Sequence, residues 1–170
     1  MADANTLYTD LVQNIEQMIK VYRHLLDVMR REKQILIDAD LNELNENNQN
    51  KEKVLIKLRG LDARRLQLVS DIAKAVEIKK EDPRLLDLAI HYGGDRGDKL
   101  RNLHSVLVLL LKRIQEYNVQ NEQLIKSALD NVTGTLKNLK DTLMEKSTYE
   151  KKGKLKEQKN PNAQFVSKEA

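Results

Sequence analysis

The sequence has no cysteine and no tryptophan, and it has few residues that interrupt a helix. Two of the 170 residues are proline, six are glycine and six are aromatic. The lack of cysteine excludes disulfides and thiolate metal sites, and it fits a reducing compartment. Strands favour β-branched and aromatic residues, and the turns between them need glycine and proline. The composition therefore argues against a β fold and favours long helices.

Long hydrophobic runs are also missing. The longest purely apolar run, residues 106–111, has six residues, whereas a helix that crosses a bilayer needs about 20. The first ten residues are polar and acidic, unlike a signal peptide. We expect a cytoplasmic protein that does not insert into a membrane.

The charge is unevenly distributed. One third of the residues are charged, and the formal net charge is +4. Residues 147–170 contain six lysines and three glutamates, so the rest of the chain is close to neutral. This segment has too few apolar residues to offset the entropy of ordering it, and we expect a flexible basic tail. No uniformly basic face for nucleic acid is predicted.

Apolar residues recur at spacings of three and four along most of the chain, a period that is typical of helices packed as in a coiled coil. The sequence predicts an all-α fold, an antiparallel bundle of three long helices and one short helix. The predicted bundle domain is residues 1–146, followed by the tail. The predicted helices are residues 5–37, 41–78, 84–92 and 99–146.

The second predicted helix contains a segment without apolar residues, residues 45–53. We predict that the helix continues through it, because Asn48 and Lys51 keep the apolar stripe in register between Leu44 and Leu55. Asp40 is the predicted N-cap of this helix. Counting residues through the turns predicts a polar layer near one end of the bundle, formed by Glu32, Asn47, Asn48, Lys51 and Asn121.

Near the C-terminus the apolar residues follow an unbroken heptad-like pattern. Their spacing is 4, 3, 4, 3 and 4 residues, at positions Ile125, Leu129, Val132, Leu136, Leu139 and Leu143. The inner part, residues 125–132, is predicted to pack within the bundle. The outer part, with Leu136, Leu139 and Leu143, is predicted to lack a partner within the chain. Gly134 lies between the two parts and is a candidate hinge.

No catalytic or metal-binding pattern is present. His24, His91 and His104 have no ligand spacing around them, and no serine or threonine has the sequence context of a nucleophile. We expect neither a cofactor nor a metal, and we predict that the protein is not an enzyme.

The chain resembles the FlgN-type flagellar export chaperones in four places. Residues 31–34 lead through residues 38–40 into residues 41–44, Leu-Asn-Glu-Leu. Lys51, Leu55, Leu58 and Arg65 follow in the second helix. Residues 118–121, Asn-Val-Gln-Asn, come shortly before Leu124 and Ile125. Tyr149 precedes Gly153 by four residues, similar to a short tyrosine-containing motif in the tail of the family.

The resemblance implies a cytoplasmic chaperone that binds the helical C-terminal segment of hook-associated proteins. The expected binding residues are Leu129, Val132, Leu136, Leu139 and Leu143. It also implies contacts with the flagellar export gate and ATPase-complex components, with Tyr149 as the gate contact.

Two other functions are compatible with the residues alone. In the first, the protein is a structural coiled coil, and the C-terminal seam forms a homodimer. In the second, it is a basic helical protein that binds nucleic acid, with an affinity that falls steeply as salt rises.

Overall fold

The computed structural model describes residues 3–156, with side chains described for residues 3–144. The described residues form four α-helices, which confirms the all-α class: α1 (Ala4–Asp38), α2 (Leu41–Ala75), α3 (Leu85–Tyr92) and α4 (Gly94–Lys156). The chain divides into two compact units. Unit 1 is Met1–Ile125, and unit 2 begins at Lys126.

Helices α1 and α2 form an antiparallel pair joined by a tight turn. Ala39 adopts a left-handed conformation and ends α1. Asp40 is the N-cap of α2, as predicted, and its carboxylate accepts hydrogen bonds from the backbone N–H groups of Asn42 and Glu43, both at 3.0 Å. Because these N–H groups have no partner within the helix, the cap fixes the residue at which α2 begins.

Helix α2 continues through residues 45–53, as predicted. Within and just after this segment, however, two of the buried positions lie one residue before the predicted ones. Asn47, Val54 and Leu58 are buried, whereas Asn48 and Leu55 are exposed. The prediction is therefore wrong at Asn48 and Leu55. Asn47 donates to the carbonyl oxygen of Val28 in α1, and Val54 packs in the cluster that joins α1 to α2, so these two positions face α1 instead.

The core of unit 1 is built from all four helices. Each contributes aliphatic side chains to the main cluster. Its most buried residues are Leu11, Ile15, Val69, Ile72, Leu88, Ala89 and Leu100. A smaller cluster joins α1 to the middle of α2, with Val21, Leu25, Met29, Val54 and Leu58. The two clusters hold the first part of α4 against α1.

The start of α4 differs from the prediction. The two glycines at 93 and 94 and a candidate N-cap at Asp98 predict a loop at residues 95–97, in line with the predicted helix start at residue 99. In the structure α4 already begins at Gly94. Gly93 and Gly94 both have positive φ angles, 57° and 44°, so the chain passes from α3 into α4 at these two residues. Asp98 lies inside the helix and pairs with Arg101 at 2.8 Å.

Gly97 explains why α4 begins so early. A Cβ atom at this position would overlap the backbone carbonyl oxygen of Ala89, the residue of α3 that faces it. The missing side chain lets the first turn of α4 approach α3 closely. The glycine therefore serves packing between helices rather than a flexible loop.

Replacing Gly97 with alanine is expected to lower the free energy of unfolding by about 1–3 kcal/mol, because the added methyl group forces backbone apart. Urea denaturation followed by circular dichroism measures this change. Gly60 is the matched control, since a Cβ atom there meets nothing within 4 Å and Gly60→Ala should stabilise α2. Equal effects of the two substitutions would contradict the close approach at Gly97.

The apolar run at residues 106–111 predicts that the first half of α4 lies at the centre of the bundle, surrounded by other helices. Leu107 and Leu110 are buried, but Val108, Leu109 and Leu111 are about half exposed. The helix thus packs against the core on one side, and the prediction that it is surrounded is wrong.

A polar layer crosses unit 1 between α1, α2 and α4. The carboxylate of Glu32 is buried and accepts hydrogen bonds from Lys51 Nζ at 2.8 and 3.0 Å and from Asn121 Nδ2 at 2.9 Å. Asn121 also donates to the carbonyl oxygen of Met29, and Asn47 donates to that of Val28. Three of the five predicted members therefore meet directly, and the fourth, Asn47, bonds to α1 one turn before Glu32. Asn48 is exposed and does not belong to the layer.

The predicted domain boundary at residue 146 stays a prediction. Helix α4 continues to Lys156, ten residues beyond its predicted end, while residues 157–170 lie outside the described part of the chain. Among the described residues, no helix combines the length and the hydropathy that a membrane span requires.

Candidate functional site

The main candidate site is a row of aliphatic side chains in unit 2, here called the C-terminal stripe: Leu129, Val132, Leu136, Leu139 and Leu143. All five are exposed, with between 57 and 62% of each residue accessible. These are the same five residues that are expected from the sequence to bind a partner. The structure thus brings the five together on one face of α4.

The spacing of the C-terminal stripe produces a continuous surface. Its residues follow one another at intervals of 3, 4, 3 and 4, which are the a and d positions of a heptad. At 1.5 Å of rise per residue, the stripe extends over about 21 Å, or four turns. A narrow apolar row of this length fits another amphipathic helix better than a small molecule.

The prediction that residues 125–132 are packed within the bundle is wrong. Ile125, the last residue of unit 1, is 42% exposed, and Leu129 and Val132 are more exposed than that. The polar layer explains the difference, because it places Asn121 beside Met29 and Glu32. Helix α1 ends at Asp38, only six residues after Glu32, so α4 loses this neighbour soon after residue 121. Every described side chain from residue 126 to residue 144 is exposed.

Threonine hydroxyl groups beside the C-terminal stripe are paired within α4. Thr133, Thr135 and Thr142 each donate to the carbonyl oxygen four residues earlier, at 2.9 Å. A partner that covers these residues therefore leaves no hydroxyl group without a hydrogen bond, and the desolvation cost of binding is small.

Gly134 lies within α4, which continues through it without interruption. In the heptad frame of the C-terminal stripe it occupies the f position, on the face opposite the stripe. A Cβ atom at this position meets nothing within 4 Å. Its role as a hinge stays a prediction.

Replacing Gly134 with alanine is expected to stabilise the helical state of unit 2 by about 1 kcal/mol, because alanine loses less conformational entropy in a helix. Amide hydrogen exchange of residues 130–140 measures this as slower exchange. If the hinge hypothesis holds, the same substitution also weakens partner binding. Slower exchange with unchanged binding would contradict the hinge.

Tyr149, the predicted gate contact, lies beyond residue 144, outside the residues whose side chains the structure describes. Its contact with the export gate stays a prediction, and the same is true of the predicted flexible tail.

Unit 1 offers a smaller apolar opening between α2 and α4. A cavity of about 210 Å³ is lined by side chains that include Met18, Tyr22, Leu107 and Val108. It is smaller than typical ligand pockets, which measure about 300–1,000 Å³. A second cavity in unit 1, beside the N-terminus of α3, measures about 450 Å³ and lies within this range. Within residues 3–144, no three acidic or histidine side chains are arranged to hold a metal ion. The C-terminal stripe is the candidate surface whose shape fits a helical partner rather than a small molecule.

Sequence reasoning missed the residues that flank the C-terminal stripe. Lys126 and Lys140 occupy e positions on one side, whereas Ala128, Thr135 and Thr142 occupy g positions on the other. Extending the heptad count from the apolar residues to their neighbours would have identified this asymmetry.

A protein-family model described as "FlgN protein" matches residues 1–157 of the chain. Comparison with curated proteins and with solved structures gave no match. The matched range contains all described residues of both units.

Proposed function

Since the chain belongs to the FlgN family of flagellar export chaperones, we propose that it escorts hook-associated proteins to the flagellar export gate. It binds the helical C-terminal segment of these proteins along the C-terminal stripe. The function is one of binding and delivery in the cytoplasm, and it involves no catalysis.

The observation that carries this proposal is the exposure of the C-terminal stripe. Five aliphatic side chains in register over four turns form a larger apolar row than a folded protein usually exposes without a partner. Burying a leucine fully contributes about 1.5–3 kcal/mol. These residues are already partly covered, so each contributes about 1–2 kcal/mol. The free-energy cost of association reduces the sum of these contributions, and the remaining binding free energy is that of a reversible complex.

Unit 1 supplies the support for this surface. Glu32 forms an ion pair with Lys51 and accepts a hydrogen bond from Asn121. These contacts join α1, α2 and α4 before unit 2 begins. A layer of this kind fixes the register of neighbouring helices. The division of the chain into two units supports separate roles, in which unit 1 provides stability and unit 2 provides the binding face.

Delivery to the gate is the second part of the proposal. It is supported by the family membership and by the position of Tyr149 in the predicted tail motif. The gate and the ATPase-complex components are the proposed partners of this segment. Replacing Tyr149 with alanine would then impair export while leaving hook-associated protein binding intact.

Sedimentation velocity tests the binding proposal and separates it from the homodimer alternative. The purified chain is measured alone over a range of concentrations, and then with a hook-associated protein that has or lacks its C-terminal segment. We expect a monomer alone and a complex only with the intact partner. A tight dimer that forms no complex would favour the structural coiled coil and contradict the proposal.

A further inference from the structure

The two flanks of the C-terminal stripe carry different chemistry. On one side lie Lys126, Thr133 and Lys140 at e positions, with Lys137 in the adjacent b row. We call Lys126, Lys137 and Lys140 the lysine flank. All three are exposed, and none of them forms an ion pair within the described part of the chain. Their charges are therefore available to a partner.

The opposite side is small and uncharged. Its g positions are Ala128, Thr135 and Thr142, and the two threonine hydroxyl groups donate to backbone carbonyl oxygens of α4 itself. This side attracts no charge of either sign and accommodates apolar or small side chains of a partner.

The acidic residues between positions 126 and 144 do not neutralise the lysine flank. Between residues 126 and 144 there are two aspartates. Asp141 occupies an f position, on the face opposite the stripe. Asp130 lies in the b row, four residues after Lys126, and forms no ion pair with it among the described contacts. The flank thus has three lysines and one aspartate.

A second copy of the chain does not complement this surface. In an antiparallel pair of stripes the e positions face each other, so lysine meets lysine. In a parallel pair the e positions face g positions, so lysine meets alanine or threonine. Neither arrangement gains an interhelical ion pair, although pairs at these positions commonly determine which coiled-coil partners associate.

From this asymmetry we infer that the C-terminal stripe selects an amphipathic helix with aspartate or glutamate along one flank of its apolar face. The inference rests on the proposed function and adds the charge pattern of the partner to it. The apolar residues supply most of the affinity, while the lysine flank sets which helices bind and in which orientation.

Two designed 21-residue helical peptides test the inference on the full chain. Both peptides have the same leucine and isoleucine residues at the a and d positions. The acidic peptide has glutamate at every e and g position, and the basic peptide has lysine at every e and g position. Like charges disfavour self-association of both peptides equally. At 0.05 M salt we expect the acidic peptide to bind at least about tenfold more tightly, and high salt to reduce the difference.

Matched variants test whether the preference for the acidic peptide depends on the lysine flank. Lys126→Glu/Lys140→Glu should reverse it, so that the basic peptide binds more tightly. Lys53→Glu/Lys57→Glu, at exposed positions of α2, changes the net charge equally and should retain the preference for the acidic peptide.

The outcomes distinguish the two proposals. Equal affinity for both peptides, or loss of the preference in the α2 variant, would overturn the lysine-flank inference and leave helix binding in place. Failure of both peptides to bind would overturn helix capture by the C-terminal stripe, and the inference with it.

Discussion

Replacing Leu136, Leu139 and Leu143 together with glutamine is expected to weaken binding of a hook-associated protein by about 10²–10⁴-fold. About 60% of each leucine is exposed in the free protein, and a partner helix would cover most of that fraction. The three substitutions remove about 3–5 kcal/mol of apolar burial. Glutamine has a helix propensity close to that of leucine, so the helical content should not change. Isothermal titration calorimetry and circular dichroism measure the two quantities.

The matched control changes three residues off the stripe, as Lys137→Gln/Asn138→Gln/Asp141→Gln. These occupy b, c and f positions of the same helical segment, and the triple substitution leaves the net charge unchanged. Because this variant keeps the whole C-terminal stripe, its affinity should remain within a few-fold of the original. Similar losses in both variants would indicate a general effect on the helix rather than a binding face.

Replacing Glu32 with leucine is expected to lower the free energy of unfolding by about 3 kcal/mol. Glu32 is 5% exposed, and its carboxylate is the acceptor for both Lys51 and Asn121. Without it, the ammonium group of Lys51 loses its partner inside the bundle, and the amide of Asn121 keeps only the carbonyl oxygen of Met29. The side chain of Lys51 is 22% exposed, so it retains some access to water, which places the effect at the lower end of the range for broken buried pairs.

A double substitution and a surface control test this explanation. In Glu32→Leu/Lys51→Met the unpaired charge is gone, so the protein should be more stable than with Glu32→Leu alone. Glu16→Leu breaks the exposed pair with Lys99 and should change stability by less than about 1 kcal/mol. If Glu32→Leu and Glu16→Leu had equal effects in urea denaturation, the polar layer would contribute little to stability.

Local rules predicted the parts of the fold that depend on neighbouring residues. The cap at Asp40 and the continuity of α2 through residues 45–53 were both predicted from the sequence. The polar layer was predicted by counting residues through turns, and Glu32, Lys51 and Asn121 do meet. These features follow from backbone hydrogen bonding and from helical rise, and both are nearly independent of the sequence elsewhere.

The features that sequence reasoning missed depend on contacts between distant residues. Gly97 was interpreted as part of a loop because glycine favours turns, whereas its role is to let α4 approach the carbonyl group of Ala89. Asn47 and Asn48 are equally polar, and only the packing of α1 against α2 selects Asn47. A single sequence contains neither of these contacts in its local pattern.

The candidate site, too, was predicted in part from the local sequence pattern and in part missed. The heptad spacing predicted one apolar row along α4, and within it identified Leu136, Leu139 and Leu143 as residues without a partner in the chain. The extent of exposure along this row was underestimated at Leu129 and Val132, because the predicted register placed the end of the bundle more than a turn too far along α4. The position of Asn121 beside Glu32 sets that register, and it depends on the length of the connection through α3.

Site-specific photo-crosslinking tests the central claim most directly. A photoreactive phenylalanine derivative is placed at Leu136, in the C-terminal stripe, or at Asp141, on the opposite face, and each protein is irradiated with a purified hook-associated protein. We expect efficient crosslinking from position 136 to the C-terminal segment of the partner, mapped by mass spectrometry, and little from position 141. Crosslinking that is absent at position 136, or equal at the two positions, would contradict capture of a partner helix by the C-terminal stripe.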